Sequence, residues 1–130
     1  AVAIPAYSDY TKKAKLSEVT NAMGSVMSAF QNYTAETGEC PFDDGDLGIA
    51  VLDDSLGVLV PGRYVTGNVI AFDGPGLDQI DDGNPVTFTI TMENIGSGVD
   101  TMNLTLSSGF SGGARTWSST NLDAKYTPKN

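Results

Sequence analysis

Leu16-Ser-Glu-Val19-Thr-Asn-Ala22-Met23-Gly24-Ser-Val26-Met27-Ser-Ala-Phe30-Gln-Asn-Tyr33 is the stretch that decides the fold. Leu16, Val19, Met23, Val26, Phe30 and Tyr33 recur at alternating steps of three and four, which lines them along one face of an α-helix. Working outward, Ala14, Ala22, Ala29 and Ala35 favour the same conformation and the β-branched residues are scattered singly. Gly38, reinforced by Pro41, supplies a stop, so the spacing predicts a helix from Ser8 to about Thr37. Helix through residue 37 reaches about 50 Å at 1.5 Å per residue, longer than a small domain is wide. Part of it must project or lie on something else.

Upstream of the stripe, Ala1-Val2-Ala3-Ile4-Pro5-Ala6-Tyr7 is apolar but far short of the roughly 20 residues that cross a bilayer. It reads as the remnant of a processed or engineered terminus, apolar all round, to be covered by sister chains or lipid. Pro5 lacks an amide donor and would bend any helix arriving from further upstream. Gly24, in mid-helix, costs roughly 1 kcal/mol against alanine, and we expect it to mark a close approach by the sheet.

Downstream, Glu39 to Gly62 is rich in Asp and Gly around short apolar runs and predicts a connection with at most short elements. Tyr64–Phe72, Val86–Met92 and Met102–Leu106 carry the β-branched residues and alternation of strands with one buried face. The turn residues between them predict antiparallel neighbours. Arg115–Ser118 adds an edge strand, and the polar tail after it is a loop. The expected fold is α+β: one long helix laid over a small antiparallel sheet of about four strands. Its segments are 1–37 (helix), 38–62 (connection), 63–118 (sheet) and 119–130 (C-terminal loop), all in a single globular domain.

Composition narrows the function. Forty per cent hydrophobic and 18% charged residues in a 130-residue chain describe one globular domain, not a disordered segment. The net charge is −9, and every acid except Asp9 and Glu18 lies at or beyond Glu36, whereas Lys12, Lys13 and Lys15 cluster near the start. So acidic a body repels phosphate backbones, and no direct nucleic-acid binding is expected. The three lysines read as a solvated helix face, with lipid head groups or a neighbour's acidic body as the alternatives.

With no histidine, Ser/His and Cys/His catalysis and His-based metal sites are excluded. Cys40 is the only cysteine, so no intrachain disulfide forms. Adjacent acids such as Asp53-Asp54 and Asp81-Asp82 have no supporting site, and we expect no enzyme and no cofactor. Asp43, Asp44 and Asp46 around Gly45 lack the later Glu of an EF-hand and read as solvated turn acids. Tyr7, Tyr10, Phe30 and Tyr33 invite a role in electron transport, but at helical spacing packing is the simpler reading. Asn32-Tyr-Thr34 and Asn103-Leu-Thr105 are formal glycosylation sequons.

Ala3-Ile-Pro-Ala-Tyr-Ser-Asp-Tyr-Thr-Lys-Lys-Ala-Lys-Leu-Ser-Glu18 resembles the stretch of type IV pilins that follows their apolar N-terminal segment, where Ile-Pro-x-Tyr-x-Asp-Tyr and a later Ser-Glu recur. Trp117-Ser-Ser119-Thr-Asn-Leu-Asp123-Ala-Lys125-Tyr126-Thr-Pro128 is similar to the C-terminal loop of type IVa pilins. Two features depart from the family. Ser118 or Ser119 stands where the first of its two loop cysteines would be, and the chain stops at Asn130 where the second is expected. The leader and most of the apolar segment are also missing, which we read as an N-terminal truncation.

The resemblance implies a structural subunit of a type IV pilus serving attachment, motility or related functions. Its partners would be other copies of the subunit in a homopolymeric filament, the inner membrane before assembly, and the pilus assembly machinery. Its location would be the extracellular pilus (fimbrium) of a Gram-negative bacterium. Ala1, Val2, Ile4, Pro5 and Tyr7 would be the filament-core or membrane-side remnant, and Trp117, Ser119, Asp123, Lys125, Tyr126 and Pro128 the C-terminal loop. Local hydrogen bonds, packing of Tyr126 and Trp117, or an ion would replace the absent bridge. The alternative is a type II secretion pseudopilin forming a periplasmic piston, which shares the N-terminal half of the signature.

Overall fold

The computed structural model describes residues 3–74, 76, 85–110 and 112–128, with side chains from Asp9 onward. Its first element is a 35-residue helix, α1 (Ala3–Thr37). Gly38 ends it in a left-handed conformation (φ 77°) and donates its amide to the Thr34 carbonyl at 2.8 Å. That backbone state suits glycine and closes the last turn.

After α1 come β1 (Gly45–Gly48), α2 (Ile49–Leu56), two short 3-10 turns, β2 (Val69–Asp73), β3 (Pro85–Thr91), β4 (Asn103–Gly109) and β5 (Thr116–Ser118). The five strands form one sheet in the order β1-β2-β3-β4-β5, each antiparallel to its neighbour. In β3, Val86, Phe88 and Ile90 face inward while the threonines between them face out. Opposite them β4 sets Ser108, Leu106 and Leu104 in register. On the outer face the Thr89 and Thr105 hydroxyls pair at 2.8 Å.

α1 lies across the inner face, so the expected α+β architecture is present with one strand more than expected. The addition is β1, in the Asp- and Gly-rich connection, which pairs through its backbone with β2. Strand β2 also begins later than Tyr64. Tyr64 sits in the 3-10 turn Gly62–Tyr64, and Thr66–Asn68 forms a second one. Positive φ at Gly67 (70°) and Asn68 (55°) interrupts the extended chain there.

The core lies between helix and sheet, and Phe30 is at its centre. Its ring is 5.4 Å from Phe72, 5.7 Å from Phe88, 5.9 Å from Phe110 and 6.4 Å from Phe42. Aromatic pairs at these separations add to the stabilisation from burial alone. Cys40 is fully buried nearby and donates its thiol to the Phe42 carbonyl at 3.2 Å. Burial pushes that thiol's pKa up, which keeps it in the unreactive protonated form.

Candidate functional surface: α1 and the loop clasped to it

Leu16, Val19, Met23, Val26 and Phe30 are all buried against the sheet, at 4% exposure or less. Met27, fully buried, widens the stripe. Tyr33 is only half-buried, and one position on it is Thr34 that turns inward at 2% exposure. The Thr34 hydroxyl donates to the Phe110 carbonyl at 2.8 Å. A polar side chain suits this spot because the helix end meets backbone where β4 has finished, and a buried carbonyl needs a donor.

The expectation for Gly24 needs correction. What lies near it is not the sheet but the side chain of Arg115, whose guanidinium donates to the Gly24 carbonyl at 3.2 Å and to Ser28 Oγ at 2.7 Å. A Cβ added at Gly24 would sit 3.8 Å from that guanidinium, an ordinary contact. Gly24→Ala is therefore expected to raise stability by up to about 1 kcal/mol. Urea denaturation of the variant checks this; a loss of stability would mean that the site is tighter than the geometry indicates.

Polar contacts fasten both flanks of α1. Arg63 pairs with Glu18 at 2.6 Å on an exposed flank, a contact worth about 1 kcal/mol or less. Gln31 donates to Ser108 Oγ at 2.9 Å and to the Gly109 carbonyl at 3.1 Å. Lys12 donates to Ser97 Oγ at 3.4 Å.

The C-terminal loop closes over the same end of α1. Ser119 Oγ donates to the Asn103 carbonyl at 2.6 Å and accepts the amides of Leu122 at 2.9 Å and Asn121 at 3.2 Å. Asn103 answers with its amide to Asn121 Oδ1 at 2.9 Å and its side chain to Thr120 Oγ1 at 2.5 Å. Asp123 accepts the Lys125 amide at 3.0 Å, Leu122 and Tyr126 are buried, and Trp117 packs half-buried against the core from β5. Hydrogen bonds thus tie the loop to β4.

Beyond them the loop reaches α1 directly. Tyr126 donates its hydroxyl to Asp9 Oδ1 at 2.8 Å, and Lys125 meets Asp9 Oδ2 at 3.4 Å. The Tyr126 hydrogen bond, then the Lys125 charge, holds the Asp9 carboxyl below its ordinary value of 3.8. A depressed carboxylate stabilises the fold above its unfolded pKa, and the contribution is lost as pH falls through the folded one. Protection of the 125–127 amides from hydrogen exchange is therefore expected to weaken below about pH 4. Asp9→Asn should flatten that dependence, and an unchanged profile in the variant would remove Asp9 as its source.

Between loop and helix runs a groove of about 240 Å³, bordered by Lys13, Ser17 and Thr20 on one side and Tyr126, Thr127 and Pro128 on the other. Ala1 and Val2, and the side chains of Ile4, Pro5 and Tyr7, lie outside the described residues; Pro5 falls within the first turns of the α1 backbone. Tyr10 is 72% exposed. In the sequons, Asn32 is exposed and Asn103 half-buried, while Thr34 is buried and the Thr105 hydroxyl is paired with Thr89. Asp44 accepts the Gly74 amide at 2.6 Å and joins the chain just before β1 to the chain just after β2. Among the described residues no helix is long and apolar enough to cross a membrane, and no group of three or more Cys, Asp or Glu side chains is placed to hold a metal.

The clasp spans the whole chain, since Asp9 and Tyr126 are 117 positions apart. Compared with models of known families, residues 12–130 match Pilin, described as a bacterial filament family. The chain belongs to the pilin family. This pilin is also 31% identical over 129 residues to the fimbrial protein EcpC of Eikenella corrodens, a match covering 98% of this chain and 75% of that protein. Membership makes it a structural subunit of a bacterial surface filament, not an enzyme.

The sequence did not reveal Asp9, Asn103, Asn121, Gln31 or Arg115 as parts of the clasp. Each makes contacts whose partners lie far away in the chain, and only the charge opposition of Asp9 and Lys125 was a usable signal.

Proposed function

We propose that this pilin is a type IV subunit that polymerises through the N-terminal part of α1 into a filament used for attachment or motility. Before assembly it resides in the inner membrane, from which the pilus machinery of a Gram-negative cell extracts it. The observation that carries this reading is the reach of α1. Its first described contact with the body is at Asp9, and the helix continues back to Ala3, about 9 Å further. In sequence, Ile4, Pro5 and Tyr7 belong to the apolar opening stretch, a composition suited to contact with other subunits or lipid. The docked C-terminal loop keeps the globular end closed while the rod is handed from membrane to filament.

The test is deletion of the gene followed by imaging of the cell surface with an antibody to this chain. The expected outcome is labelled filaments on wild-type cells and bald mutant cells. Normal filaments on the mutant together with lost protein secretion would assign the chain to a secretion pseudopilus instead.

A further inference from the structure

Among the described residues, unpaired lysines and unpaired acids lie at opposite ends of the molecule, although the lysine end also holds Asp9, paired with Lys125, and exposed Asp123. At the end where the C-terminal loop meets α1, Lys13 borders the groove with Tyr126 and Thr127, and Lys15 follows two residues on, about 200° round the helix. Lys12 lies between them, its side chain packed over Gly96 and reaching Ser97. At the far end α1 terminates in exposed Glu36, followed by exposed Glu39 and, in β1, exposed Asp46. The packing of Phe42 on Phe30 folds this connection beside the last turns of the helix. Among the described residues the ion pairs are Arg63 with Glu18 and Lys125 with Asp9, so Lys13 and Lys15 reach no acid there, nor do Glu36, Glu39 and Asp46 reach a base.

The two ends cannot neutralise each other within one subunit. From Lys13 to Glu36 is about 35 Å along the helix axis, several times the roughly 8 Å over which salt screens charge at physiological strength. Opposite charge for either end must come from another molecule, and the chain itself offers it. Contact between two different surfaces of identical subunits does not close on itself and propagates as a filament.

We propose that the lysine-bearing turn of α1, whose Lys13 borders the groove beside the C-terminal loop, docks the acidic end of a second copy, through Glu36, Glu39 and Asp46. This rests on the filament reading and names the surfaces that would join its subunits.

Three variants of the full-length protein test it in the native cell: Lys13→Glu with Lys15→Glu, Glu36→Lys with Glu39→Lys and Asp46→Lys, and all five together. All five side chains lie outside the core, and Glu36→Lys places a cation at a helix C-terminus, where it is favoured. Melting curves matching wild type would confirm folding. Each single-end reversal is expected to lower filament yield by about tenfold or more, and the five-fold variant to restore it to within about threefold of wild type. Wild-type filaments should also dissociate more readily in about 500 mM salt than in about 50 mM.

Undiminished yield from either reversal, a five-fold variant as deficient as its parents, or salt-insensitive wild-type filaments would overturn the docking. So would reversals that abolish binding to anionic phospholipid vesicles while filaments persist, which would give the lysines to the membrane. Wild-type cells whose filaments lack this chain would instead defeat the filament reading itself.

Discussion

Replacing Phe30 with alanine is expected to cost about 3–5 kcal/mol and to lower the melting temperature by more than about 10 °C. Phe30 is fully buried and is the one ring in contact distance of Phe42, Phe72, Phe88 and Phe110 among the described aromatic pairs. It comes from α1, whereas its neighbours come from the connection, from β2 and β3, and from the end of β4. Truncation therefore opens a cavity shared by every layer of the fold, and no single neighbour can move to fill it without leaving another. The long helix cannot collapse inward either, because Gln31 and Thr34 fasten it to the end of β4. Phe30→Leu, which keeps most of the volume, should lose distinctly less. Equilibrium denaturation of both variants decides the point: a loss below about 1 kcal/mol for the alanine variant would show that the aromatic cluster is not the keystone of the core.

Ser119→Ala is the second large effect, expected at about 1–3 kcal/mol. The hydroxyl donates to the Asn103 carbonyl and accepts the Asn121 and Leu122 amides, so alanine leaves several backbone groups without partners at once. Leu122 is buried, so water cannot readily take the place of the lost acceptor. Beyond global stability, the loop itself should loosen, with faster hydrogen exchange from Asn121 to Thr127 and weaker docking of Tyr126 on Asp9. Ser118, exposed beside it, provides the control, since Ser118→Ala should change little. If the two substitutions behave alike, hydrogen bonding at Ser119 is not what holds the loop. The comparison matters because the resemblance to type IVa pilins implies a disulfide at this place. A hydroxyl linking the loop to β4 is a different solution, reversible and independent of redox conditions.

Much of the fold was legible beforehand where the information is local. The apolar stripe of α1 and the alternation in β3 repeat within a few residues, so side chains that must share a face announce themselves. Tyr33 shows where this stops. It continues the apolar spacing, yet Thr34 goes inward, because what faces it is the Phe110 carbonyl and not a hydrocarbon side chain. Strand β1 is a second case: Gly45-Asp46-Leu47-Gly48 has no strand-like pattern, and it becomes extended by pairing with β2. Gly24 is a third, where a mid-helix glycine pointed to close packing and the neighbour is a single arginine side chain.

What the sequence determined by itself is the rod, the antiparallel sheet beneath it, the absence of His-based chemistry, and, through its two ends, the resemblance to pilins. All are properties of residue type and short-range spacing. Tertiary structure alone decided how the rod is held: Asp9 to Tyr126, Glu18 to Arg63, Gln31 to Ser108, and Ser119 to Asn103. Hydrogen bonds and ion pairs depend on distances of about 3 Å between atoms, and which distant residues come that close is settled only when helix, sheet and loop have packed.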